Sequence, residues 1–374
     1  LGTGDITLNG GTLHASGSFT STKNAAFVSS GNISVDTSQE LTLSGVMSGS
    51  GGPLIKVGAG TLSLSGTNTY DQGTTITEGT VSVASDANLG AGNVSLNGGT
   101  FNASGDFTSS KAFALDSSGS IDIDSGVTLT ATGVVSGSGG ALTKSGSGTL
   151  ALSGVNTYDQ GTQFEAGTVS VAADNNLGSG NLTFNGGSLN VSSGFTSSKA
   201  AVMTGAGTID IDASETLTMS GIISSTGALT KSGAGTLELT GANTYSGGTT
   251  VSAGTLKGTT TSVQGDIVDN ATVEINQSTN GTYAGAMSGT GAFIKNGTGE
   301  VTLSGTNTYS GGTTINAGRL IGTTSSLQGD IANSATIEFN QSTSGSYAGA
   351  ISGTGAFVKD GSGNVSLTGS NTYS

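Results

Sequence analysis

The chain has 374 residues, among them 67 glycines, one proline and no cysteine or tryptophan, and 10 basic against 24 acidic residues give a formal charge of −14. With Arg319 the sole arginine, that balance excludes a nucleic-acid surface and disfavours an anionic membrane, since both need clustered cations. No apolar run approaches the roughly 18 residues of a membrane span, glycine keeps no G-X-Y period, and evenly placed Leu, Val, Ile and Phe set the chain apart from a disordered Gly/Ser linker.

In chain order, the first element is LGTGDITLNGGTL at 1–13, which returns as LGAGNVSLNGGTF at 89–101 and LGSGNLTFNGGSL at 177–189. His14, the only histidine, stands where later copies carry Asn102 and Asn190, so a surface or corner place is expected and a Ser-His-Asp triad is not. Asp36, Asp124 and Asp212 are equivalent, and Asp122 and Asp210 stand two residues before the latter pair, in SIDID and TIDID. Within one strand those carboxyls share an outward face. Copies four turns apart would be ~19 Å apart, beyond the reach of paired hydrolase carboxylates, so only Asp122/Asp124 and Asp210/Asp212 could act together.

GTLSLSG (60–66), GTLALSG (148–154), GTLELTG (235–241) and GEVTLSG (299–305) alternate apolar and small polar residues. Period two places Leu62 and Leu64 on one face and Ser63 on the other, a β pattern. Each is followed by NTY and a Gly-Thr-Thr or similar stretch, SGTNTYDQGTTI at 65–76 being the first and GSNTYS at 369–374 the last. The GSGG at 137–140 lacks the aspartate of a calcium-binding nonapeptide, and no phosphate loop is present.

Tyr70, Tyr158, Tyr245, Tyr309 and Tyr373 lie 88, 87, 64 and 64 residues apart, and Lys56, Lys144, Lys231, Lys295 and Lys359 keep the same intervals. A closed domain does not lose a quarter of its chain and keep its core, whereas a coil can drop one turn. The expected fold is therefore all-β, a right-handed parallel β-helix with roughly three short strands per turn of about 22 residues. Residues 1–262 are read as units of about 88 residues and four turns, and 263–374 as the same continuous helix in units of about 64 residues and three turns. About 17 turns stacked at ~4.8 Å would make a rod of order 80 Å. Asn and Gly are expected to turn the corner, Tyr to shield its edge, and the lysines to be solvated beside a strand, with one salt bridge to a neighbouring turn.

The stretch GALTKSGAGTLELTGANTYSGGTTVSAGTL, with versions at 52–83, 140–171, 292–320 and 356–374, resembles the passenger-associated repeat of bacterial autotransporters. The resemblance implies a secreted or surface-displayed passenger of a Gram-negative bacterium, with a signal peptide and a C-terminal translocator barrel in the parent chain. This stretch is accordingly expected to be internal. It brings no catalytic residues, so no catalytic, cofactor-binding or metal-ligating residue is assigned, and no cofactor is expected.

The expected function is a non-enzymatic adhesive or self-associating segment that also supports passenger folding and export. Its partners would be copies of itself or molecules on host or bacterial surfaces, with no nucleic acid and no membrane insertion by this segment. A β-helical polysaccharide hydrolase or lyase using the outward Asp pairs is the alternative. Ice or mineral binding by threonine ladders ranks below both.

Overall fold

A computed structural model describes residues 2–374. They form two compact units, one extending to Asn190 and the other Val191–Ser374. Within each, short strands alternate with bends, and the assigned strand pairings are parallel.

In the first unit three strands make a regular turn. Val94–Leu96, Thr100–Ala103 and Phe107–Ser109 stack on Phe113–Leu115, Gly119–Ile123 and Thr128–Ala131. These stack in turn on Val135–Ser136, Leu142–Ser145 and Thr149–Leu152. The second unit repeats the arrangement with Ile267–Asp269, Thr272–Asn276 and Gly281–Tyr283. The all-β parallel solenoid is as expected, with turns of about 20 residues. Single turns range from 17 residues (Thr255 to Thr272) to 23 (Gly119 to Leu142).

Alternation makes the core. Leu41, Leu62, Val81, Phe101, Ile121 and Lys144 form one inward column, and Leu43, Leu64, Val83, Ala103 and Ile123 form its neighbour. The hydrocarbon members are all buried, each aliphatic side chain contributing roughly 1.5–3 kcal/mol. Aromatic pairs fill the wider places: Phe101 meets Phe113 edge-on at 5.3 Å, and Phe164 stacks on Phe184 at 4.4 Å.

The turn arithmetic differs from the sequence reading. From Lys56 the same face is revisited at Thr74–Ile76, Val94–Leu96, Phe113–Leu115 and Val135–Ser136, and Lys144 lies on the following face. An 88-residue step is thus four turns plus one face. From Lys231 the same face returns at Thr249–Val251, Ile267–Asp269 and Met287–Ser288, and Lys295 lies on the next. Lys295 to Lys359 repeats that advance through Thr313–Ile315, Ile331–Asn333 and Ile351–Ser352. The two step lengths differ by one whole turn, as the periodicity requires, but the motif precesses around the coil within each unit. The lysines therefore form no stripe.

Candidate functional site

The recurring motif occupies two successive turns in which one side has no strand. After Leu54–Val57 and Thr61–Leu64 the chain runs irregularly through 65–73. After Thr74–Ile76 and Thr80–Val83 it runs through a short 3-10 turn at Asp86–Asn88. Isolated backbone bonds such as Thr69 N–H to the Met47 carbonyl (2.7 Å) replace a ladder on that side, and buried side chains supply partners for other backbone groups.

The asparagine of NTY is a clamp across three turns. Asn68 is buried; its Oδ1 accepts from the Met47 N–H (2.8 Å) one turn before, and its Nδ2 donates to the Asn88 carbonyl one turn after. Asn156 does the same with Val135 N–H (2.7 Å) and the Asn176 carbonyl (2.6 Å). In the second unit Asn243 joins Ile223 to Ser262, and Asn307 joins Met287 to Ser326.

The tyrosine points inward, not along an edge. Tyr70, Tyr158, Tyr245 and Tyr309 are buried, and each phenol pairs with the first threonine of the following Gly-Thr-Thr or Gly-Thr-Gln: Thr74, Thr162, Thr249 and Thr313, at 2.7–2.8 Å. Burial raises the phenols' pKa, to about 12 for Tyr70, with the threonine bond pulling it partly back.

The lysines correct the expectation of a solvated position. Lys56, Lys144, Lys231 and Lys295 have no exposed surface. Each stands in an inward column, Lys56 between Ile33 and Ile76 and Lys144 between Ile121 and Phe164. The ammonium is satisfied by carbonyls: Lys144 Nζ donates to Ser145 (2.5 Å), Gly146 (2.8 Å) and, one turn on, Ala166 (3.3 Å). Lys56, Lys231 and Lys295 repeat this cage. Burial holds Lys56, Lys144 and Lys231 down to about 8, against a smaller upward pull from Glu78, Asp122 and Asp210 respectively. In each case the ammonium is bonded to carbonyls and the acid acts at a distance. Lys359 makes the two local carbonyl bonds but is exposed.

The outward acids are held in place by neighbours. Asn102 Nδ2 donates to Asp122 Oδ2 (3.0 Å) and Asp124 Oδ1 (2.9 Å), and Ser145 Oγ donates to Asp122 Oδ1 (2.9 Å). Asp210 accepts from Ser232 Oγ at 2.7 Å. The two acids of the first pair thus converge on one amide, which ties adjacent turns. His14 is exposed, as expected, but its Nε2 lies 2.8 Å from Asp36 Oδ1, a contact the sequence reading missed. The 22-residue separation, about one turn, was the available signal. Among the described residues, no group of three or more His, Cys, Asp or Glu is arranged to hold a metal ion, and no helix is long and apolar enough to cross a membrane.

What the first unit presents outward is a column of short hydroxyls. Thr61, Thr80, Thr100, Ser120 and Thr143 follow one another in register, beside Ser63, Ser82, Asn102, Asp122 and Ser145. The second column is cross-bonded within itself, Ser82 Oγ donating to Asn102 Oδ1 at 2.7 Å.

Comparison with known proteins agrees with this construction. Residues 54–83, 142–171, 229–257, 293–321 and 357–374 match the passenger-associated-transport-repeat family. These are the segments in which the lysine, asparagine and tyrosine recur, so the chain carries this repeat five times and the resemblance to autotransporter passengers is borne out. A stretch of 185 residues is 46% identical to the adhesin BmaC autotransporter of Brucella suis biovar 1 (strain 1330), covering 48% of this chain. The alignment takes in 5% of that relative's length. No solved structure matches.

Proposed function

We propose that this chain is a non-enzymatic adhesive or self-associating segment of an autotransporter passenger, displayed at a Gram-negative cell surface or secreted. One observation carries the reading: the repeated polar residues are consumed inside the coil, so the repeat builds the scaffold and leaves function to the outer columns. The Thr61–Thr143 column offers aligned hydroxyl donors and acceptors. Each such bond contributes about 1 kcal/mol or less, and useful avidity comes from their number. Copies of the chain or surface molecules of other cells are the partners that suit such a face. The adhesin named among its relatives supports this reading.

The hydrolase alternative gains nothing from the acid pair. Asp122 and Asp124 both accept from Asn102, an arrangement that braces adjacent turns. The test is deletion of residues 60–146 from the parent protein, with display checked by antibody. Cell settling and attachment to host cells are expected to fall while display persists. Unchanged settling and attachment at equal display would overturn the proposal.

A further inference from the structure

Two corners in the second unit, 64 residues apart, make the same backbone bonds and differ in their buried polar side chain: Asp269 in one, Asn333 in the other, flanked by Val268 and Asn270 in the first and by Ala332 and Ser334 in the second. Both are buried at 1% exposure. The shared bonds match in pairs. Gly291 N–H donates to the Asp269 carbonyl (2.7 Å) as Gly355 N–H does to that of Asn333 (2.9 Å). Ala271 N–H donates to Asp269 Oδ1 (3.0 Å) as Ala335 N–H does to Asn333 Oδ1 (3.1 Å). Both side chains lie against a glycine of the following turn: a β-carbon on Gly291 would fall 2.3 Å from Asp269 Cγ, and one on Gly355 would fall 2.6 Å from Asn333 Oδ1.

The difference is at the second side-chain atom. Asn333 Nδ2 donates to the Ala356 carbonyl at 3.0 Å. The residue equivalent to Ala356 one repeat earlier is Ala292, whose backbone bond to Ala271 (3.0 Å) copies that of Ala356 to Ala335 (2.7 Å). By that equivalence, the Asp269 oxygen standing where Asn333 has Nδ2 is set toward the Ala292 carbonyl oxygen, and two acceptors share no bond unless one carries hydrogen.

We propose that Asp269 is an acid-stabilised latch: its carboxyl is protonated in the closed coil, donates to the Ala292 carbonyl across one turn, and loosens that turn when the proton leaves. Among the described residues, no cation is ion-paired with the carboxyl. The rung above is Val251 and the one above that Lys231, whose ammonium is spent on the Ser232, Gly233 and Ala253 carbonyls. A titratable neighbour is Tyr309, a buried phenol whose own ionisation Asp269 opposes. The rung below, Met287–Ser288, brings none. Burial pushes the Asp269 carboxyl up to about 6, against opposing pulls from the Ala271 and Val273 N–H groups.

The folded chain therefore holds more protons than the unfolded chain between the ordinary carboxyl value and about pH 6. Stability from this site is complete below that window and is lost as pH rises through it. A rise of the carboxyl from 3.8 to about 6 corresponds to roughly a hundredfold change in the local opening equilibrium.

The test uses the whole chain and hydrogen exchange of peptides covering 267–276 and 287–296 between pH 4.5 and 8, corrected for intrinsic exchange rates. Opening of the Asp269 corner is expected to increase by between tenfold and a hundredfold across the range, while the Asn333 corner holds steady. Asp269→Asn, which gives this corner the other's buried amide, should abolish the increase, and Asn333→Asp should introduce one there. Equal pH response at both corners in the unaltered chain, or an increase that survives Asp269→Asn, overturns the proposal. Should Asn333→Asp fail to fold, the first two comparisons decide alone.

Discussion

Replacing Asn156 by leucine is expected to destabilise the first unit by about 3–5 kcal/mol, more than the loss of any single outward polar residue. The asparagine does two things that leucine cannot. It receives the Val135 N–H and it donates to the Asn176 carbonyl, both on the side of the coil where the strand ladder is interrupted. Removing it leaves a buried donor and a buried acceptor, each costing about 1–3 kcal/mol when unpaired, and the leucine's apolar gain recovers only part of that. Stacked turns unfold in pieces, so a single melting midpoint would blur the effect. Hydrogen exchange of peptides containing Val135 and Asn176 reads it locally. Exchange there should accelerate by two orders of magnitude or more, which follows from the energy at about 1.4 kcal/mol per tenfold. Unchanged protection at Val135 would show that the clamp contributes little.

Gly139→Val is expected to be as damaging, through sterics instead of hydrogen bonding. A β-carbon at this position would lie 1.9 Å from the carbonyl oxygen of Asp116 and 2.3 Å from its carbon, both backbone atoms of the preceding turn. Gly51 stands in the same relation to Val28, at 2.0 Å. Backbone cannot step aside as a side-chain tip would, so the turns must part, giving up the Gly139 N–H bond to Leu115 and the stacking beneath it. We expect a loss of about 4 kcal/mol or more, with protease cleavage near residue 139. Gly17→Ala is the matched control: nothing lies within 4 Å of its β-carbon and its φ is ordinary, so its effect should stay within about 0.5 kcal/mol. Equal stability of the two variants would refute the close-approach argument.

Alternation made most of the fold legible. Leu62 and Leu64 are buried with Ser63 between them facing out, as period two requires, and the same rule holds through GTLALSG and GTLELTG. The lysines were misplaced because charge was weighed above parity. In ALTKSG, Leu142 and Lys144 are two apart, so the alternation that buries one buries the other, and a long aliphatic stem can reach the bend carbonyls from within. The threonine beside the tyrosine followed the same rule and was likewise missed as an inward residue. The third-of-a-turn precession had no local signature. It is a sum of many bend lengths, and each copy of the motif packs the same way on whichever side it falls. The clamping role of Asn156 was hidden for a related reason: its partners are backbone groups about 20 residues away on either side, which no side-chain pattern marks.

The account rests on the repeat being internal scaffolding, and lysine acylation tests this most directly. The folded chain is treated with an amine-reactive ester near pH 7 and mapped by mass spectrometry. Lys56, Lys144, Lys231 and Lys295 have ammoniums that lose their proton more readily than usual, so any access would make them fast targets. We predict instead that these four stay unmodified until the chain is unfolded, while Lys359, the exposed member at the same place in the motif, reacts at once. Modification of the four at the rate of Lys359 in the folded chain would contradict the central claim.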